Sequence, residues 1–163
     1  MKTSDLTKTA LLTAAALIVF TLEAQLPAPI PLPGVKLGLS NIFVVYALYT
    51  LDLRHALLLL LCKVTLGSVM AGSGVGFFYS LAGGLLCFAA MAGLKGALEG
   101  RQMWVCSAIG AVAHNAGQLA VAVLISGTWR VLAYGPLLLA SGIVTGAFTG
   151  LTAQLVYGRL GKR

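Results

Sequence analysis

Residues 103–126 read MWVCSAIGAVAHNAGQLAVAVLIS, a run of 24 residues without an Asp, Glu, Lys or Arg. As a helix it would be about 36 Å long, enough to cross a hydrocarbon layer of about 30 Å. Five more apolar stretches lie around it: Lys8–Leu26, Val35–Leu51, Leu53–Ala71, Val75–Leu94 and Val131–Tyr157. Each falls in or near the range of roughly 17–25 residues that a membrane helix needs. Short polar connections separate them. The pattern predicts an all-α polytopic membrane protein, a bundle of six transmembrane helices forming one integral membrane domain over residues 1–163.

The basic residues give the orientation. Lys2, Lys8, Arg54, Lys95, Arg101, Arg159, Lys162 and Arg163 lie at the two ends and on the second and fourth connections, against only Lys36 and Arg130 on the others. Lys and Arg accumulate on cytoplasmic loops, so both termini are expected in the cytoplasm. Lys2 and Lys8 before the apolar run 10–20 imitate a secretory signal peptide, but five further spans need this first one to set their direction. The chain is 59% hydrophobic and 9% charged, whereas a soluble domain carries about 25% charged residues. The net charge of +7 is spread singly or in pairs beside the spans. It forms no basic face for nucleic acid, and membrane lipid is the expected surroundings.

Some chemistries are excluded early. Cys62, Cys87 and Cys106 fall inside spans and form neither a CxxC pair nor a Cys/His cluster, so neither a metal site nor a cofactor is expected. Gly72-Ser-Gly-Val-Gly76 imitates a phosphate loop, yet no Gly-Lys-Ser/Thr follows; a tight turn is the better reading. The chain therefore has no visible means of powering uphill transport alone. No internal repeat marks it as an inverted-repeat transporter.

What the chain does have is polar side chains within the membrane, and these usually face a bundle interior or a cavity. Glu23, Asn41, Lys63, Tyr79, His114, Asn115 and Gln118 are the candidates. With both termini cytoplasmic they gather in the outer half of the bundle, as a ligand pocket open to the outside requires. Asn41 is expected about 8 Å inside the outer end of the second span. Lys63 would meet an anionic group of a ligand, His114, Asn115 and Gln118 would orient it, and Tyr79 with Phe77 and Phe78 would line its planar or apolar part. Purely structural roles compete: Lys63 paired with Glu23, and His114, Asn115 and Gln118 joining helices by hydrogen bonds. Gly142, Gly146 and Gly150 repeat at intervals of four on the last span, a close-packing signature directed at this bundle or at a partner chain.

Two resemblances add to this. Six spans with Ala10-Leu-Leu-Thr-Ala14 at the start of the first resemble the substrate-capture (S) components of energy-coupling-factor transporters. Leu32-Pro-Gly-Val-Lys-Leu-Gly-Leu-Ser-Asn-Ile-Phe43, Gly72-Ser-Gly-Val-Gly-Phe-Phe-Tyr-Ser-Leu-Ala-Gly-Gly84 and His114-Asn-Ala-Gly-Gln-Leu119 resemble the Gx transporter family, also called heptaprenyl diphosphate synthase component I. The first likeness implies a small-molecule ligand near the outer face. It also implies an Ala10/Ala14 surface that docks a coupling membrane protein with cytoplasmic ATPases. The ligand would be vitamin-like or related to isoprenoids and quinones. The second name implies a place in polyprenyl diphosphate or menaquinone synthesis. Prenyl synthases hold magnesium with aspartate-rich motifs, and the acidic residues here, Asp5, Glu23, Asp52 and Glu99, form none. The chain is thus expected to be no enzyme: a binding subunit or, alternatively, a non-catalytic synthase component or a scaffold for membrane redox partners.

Overall fold

The computed structural model describes residues 3–25, 38–98 and 100–160. The proline-rich connection 27–34, Lys36, Glu99 and the first part of the block 32–43 lie outside them. The described chain is helical, without strands: α1 Thr3–Ala24, α2 Asn41–Thr50, α3 Leu53–Met70, α4 Gly74–Leu94, α5 Met103–Ser126 and α6 Gly135–Leu160. Single 3-10 segments, Gly100–Gln102 and Trp129–Tyr134, lead into α5 and α6.

Among the described residues five helices are long and apolar enough to cross a membrane, and α2, at 10 residues, is shorter than these. Ten residues rise only about 15 Å. The second span was expected to begin at Val35. Its helix begins at Asn41 because the chain turns just before it: Gly38 holds φ +72°, and its carbonyl accepts from the Asn41 N–H at 2.9 Å. Only glycine takes that backbone region without strain. Asn41 consequently opens α2 instead of lying about 8 Å inside it. The last span also starts differently, as a 3-10 segment followed by Gly135-Pro136, where proline's missing N–H costs nothing in a first helical turn.

The helices close into a ring. α3 packs on α2 and α4, α4 on α5, α5 on α6, and α6 returns to α2, while α1 lies against α3 and α2. Val44, Val45, Leu48, Leu59, Met91, Met103 and Cys106 form the core. Leu11, Val144 and Leu124 instead stand 67%, 69% and 81% exposed. A soluble monomer rarely displays apolar surface on that scale; lipid-facing helices do, and the long apolar helices make this an integral membrane protein.

In lipid, close packing replaces escape from water as the cause of helix association. Gly142, Gly146 and Gly150 lie on the face of α6 pressed against α5. Methyl groups there would fall 2.6 Å from Asn115 Nδ2, 2.6 Å from Ala111 Cβ and 2.5 Å from Trp104 Cα. The crossing of α4 and α5 uses the same device: a methyl on Gly117 would fall 2.8 Å from the Ala82 carbonyl oxygen.

The α2–α3 connection carries a cap whose strength depends on pH. Asp52 accepts from the His55 backbone N–H at 2.8 Å and lies 2.5 Å from His55 Nδ1. These hydrogen bonds, the backbone one first, hold the Asp52 carboxyl below the usual carboxylate range. A lowered folded value means that the cap's contribution is complete above the ordinary aspartate pKa of about 3.9 and is lost as pH falls through the lowered value. Asp52→Ala is expected to lower the melting temperature at pH 7 and to flatten its decline on acidification. Superimposable melting profiles for the two proteins from pH 7 to pH 3 would show that the cap contributes nothing.

Candidate functional site

The helices surround a partly open cavity of about 280 Å³, and all six contribute to its wall. Glu23 enters from α1, Asn41 from α2, Lys63 from α3, and His114, Asn115 and Gln118 from α5. Six of the seven candidate residues thus come together, from parts of the chain up to 95 positions apart. Tyr79 does not line the cavity. On α4 the lining residues are Gly76, Ser80 and Gly84, spaced by four on one face. Tyr79 sits one position before Ser80, about 100° around the helix. Phe77 packs against the core and touches Phe78 edge-on at 5.6 Å, while Phe78 is 59% exposed; neither lines the cavity.

Lys63 is 5% exposed and donates from Nζ to Asn41 Oδ1 at 2.6 Å. The start of α2 is what places that oxygen: because the helix begins at Asn41, the first side chain of α2 reaches across to α3. Glu23 is also 5% exposed, and its Oε1 accepts the Gly38 N–H. The Gly38 turn therefore serves α1 and α2 together. One cation and one carboxylate thus share the wall, each hydrogen-bonded within the protein.

Asn115 donates to the Leu138 carbonyl of α6 at 2.6 Å, which ties α5 to α6 beside Gly142. One N–H of its amide is thus used in holding the wall. His114 and Gln118 lie where α4 comes closest: a methyl on Gly83 would fall 3.0 Å from His114 Cε1 and 3.0 Å from Gln118 Cγ. The small residue at 83 is what allows the imidazole to be held between the two helices.

Several lining residues were missed by reading polar residues one at a time. Ser40, Ser68, Ser80, Thr145 and Thr149 supply hydroxyls to the wall. Thr145 and Thr149 are four apart, each three residues after one of the packing glycines at 142 and 146, a spacing readable in the sequence. Thr149 also bonds Ser107 of α5 through paired hydroxyls at 3.0 Å.

Ala10 and Ala14 lie away from this site. The inward face of α1 is Thr9, Thr13 and Ala16, at 3%, 8% and 0% exposure; Ala10 and Ala14 are exposed beside Leu11 and Ile18. A second, larger groove of about 630 Å³ runs along α2 between the first half of α1 and the end of α6. Lys8, Tyr46, Tyr49 and Tyr157 are among its walls. Among the described residues no group of three or more His, Cys, Asp or Glu is placed to hold a metal ion.

These features define the class: a helical integral membrane protein with a small, partly open cavity among its helices, lined by apolar and polar residues together. The chain matches the family model of heptaprenyl diphosphate synthase component I over residues 12–156 and belongs to that family. No curated protein and no solved structure matches it.

Proposed function

We propose that the protein is the membrane-embedded binding subunit of a small-molecule transporter of the energy-coupling-factor kind, with both termini in the cytoplasm; that orientation needs an even number of crossings, so the short α2 counts as one of six. The observation that carries this reading is the central cavity, into which six helices bring polar side chains that lipid would otherwise penalise. Lys63 meets an acceptor group of the ligand there, and His114 and Gln118 orient it. The volume limits the ligand. About 280 Å³ holds roughly nine water-sized groups, which suits a vitamin-sized or smaller compound and not a chain of seven isoprene units. The net bias of Lys and Arg toward the termini and alternate connections supports the orientation.

Ala10 and Ala14 form the docking surface for a coupling membrane protein that cytoplasmic ATPases drive. Their exposure on α1, with the pocket on the opposite face, leaves them accessible to a neighbour. Ala10→Leu combined with Ala14→Leu is expected to cut recovery of such a partner at least tenfold while leaving ligand binding intact. Full partner recovery with the double variant would remove the docking role.

The family match favours a second reading, a non-catalytic membrane component of polyprenyl diphosphate synthesis. In that case the partner is a soluble prenyl synthase, and the α1–α2–α6 groove is the better place for an isoprenoid chain because of its size. Native co-purification separates the two. Recovery of a membrane protein with ATPase subunits supports the transporter reading. Stoichiometric recovery of a soluble prenyl synthase without ATPases replaces it with the second.

A further inference from the structure

The cavity wall contains a carboxylate that its protein partners only half satisfy. Glu23 is 5% exposed and lines the cavity. Its Oε1 accepts the Gly38 N–H, whereas Oε2, buried, has no hydrogen-bond partner among the described residues. A carboxylate oxygen accepts hydrogen bonds and does not donate them, and leaving a buried acceptor unmet is costly, more so for a charged group. His114 Nδ1, in the same wall, is likewise buried without a partner. Two other groups of the wall are partnered: Asn41 Oδ1 receives Lys63, and Asn115 Nδ2 donates to the Leu138 carbonyl.

We infer that the ligand of this cavity carries a nitrogen donor, an ammonium or an N–H of similar size, that bonds Glu23 Oε2. The inference rests on the reading of the cavity as a ligand site and narrows it. Lys63 alone suggests a simple anion; Lys63 and Glu23 in one wall select a small zwitterion or a polar heterocycle with both a donor and an acceptor. A ligand of that kind keeps the buried site electrically balanced, whereas a simple anion leaves Glu23 unmet and places two like charges in one cavity.

Two probes of equal heavy-atom count and similar flexibility test this: 5-aminopentanoate, which has both a carboxylate and an ammonium, and hexanoate, which has the carboxylate alone. Binding to the full-length protein in nanodiscs is followed by ligand-observed NMR, with empty nanodiscs as reference. The expected result is that 5-aminopentanoate binds about tenfold more tightly than hexanoate, as a charge-assisted hydrogen bond provides. Glu23→Gln should abolish that preference, weakening 5-aminopentanoate and raising hexanoate affinity as the like charge is removed. The glutamine retains an oxygen for the Gly38 N–H, so the fold is kept, and an unchanged melting temperature checks this. Hexanoate binding as tightly as 5-aminopentanoate, or a preference that survives Glu23→Gln, would overturn the donor assignment and leave the cavity reading standing. Failure of both probes to bind would overturn both.

Discussion

Replacing Gly150 by alanine is expected to destabilise the bundle by about 2–3 kcal/mol, the upper part of the range for overpacking a well-filled interior. The added methyl would lie 2.5 Å from Trp104 Cα, 2.7 Å from Ser107 Cβ and 2.9 Å from the Met103 carbonyl oxygen. Two of these three are backbone atoms, so relief requires moving α5 and not a side chain. Gly146 faces the same obstacle, with Ala108 Cα at 2.7 Å and the Ser107 carbonyl oxygen at 2.8 Å. Polar contacts across the same interface do not compensate. The Ser107–Thr149 hydrogen bond is worth about 0.6 kcal/mol by the average for membrane helices, several times less than the steric cost. Gly158, with nothing within 4 Å of an added methyl, is the control. Thermal melting in detergent is expected to show Gly158→Ala unchanged and Gly150→Ala lowered by several degrees. Equal melting temperatures for the two would mean that α5 and α6 are not held by close contact at this stripe.

The second large effect separates binding from stability. Lys63→Met should leave the melting temperature unchanged or raise it, yet weaken binding of hexanoate and 5-aminopentanoate by roughly 30-fold or more. A lysine in a membrane helix costs about 2.5–3.5 kcal/mol to insert, and methionine, apolar and of similar length, does not carry that cost. Loss of Lys63 does leave Asn41 Oδ1 without its 2.6 Å donor, but Asn41 is only half-buried and faces the cavity. Binding has no such compensation: removing one member of a buried, hydrogen-bonded charge pair costs about 2–5 kcal/mol. A purely structural lysine gives the reverse pattern, with a fallen melting temperature and intact probe affinity.

The legible parts of this fold are those governed by local rules. The 24-residue run 103–126 matches α5 at both ends, and Gly127 stops the helix in a left-handed turn at φ +63° that its sequence position advertises. The bounds of α3 and α4 agree with the apolar runs to within one residue. α2 was overestimated because its start is decided by the Gly38 turn and the Glu23 contact, a partner 15 residues away that hydropathy does not reveal. Polarity in an apolar background brought Glu23, Asn41, Lys63, His114, Asn115 and Gln118 to notice, and the cavity holds all six. Tyr79 went wrong by one helical position: size and chemistry recommended it, but the face of α4 that turns inward is carried by Gly76, Ser80 and Gly84. The division of labour within the wall was not readable at all. That Asn115 is spent on the Leu138 carbonyl while Glu23 keeps an oxygen unmet follows only from how α1, α5 and α6 are packed.

The central claim is that the ring of helices exists to hold a small molecule between Lys63, Glu23 and His114. Mass spectrometry of small molecules released by denaturing the gently purified protein tests it most directly. The account predicts one vitamin-sized or smaller compound recovered near one-to-one from the wild-type chain and lost from Lys63→Met. Recovery of only lipid from the wild-type chain, or the same compound in equal amount from the variant, would contradict it.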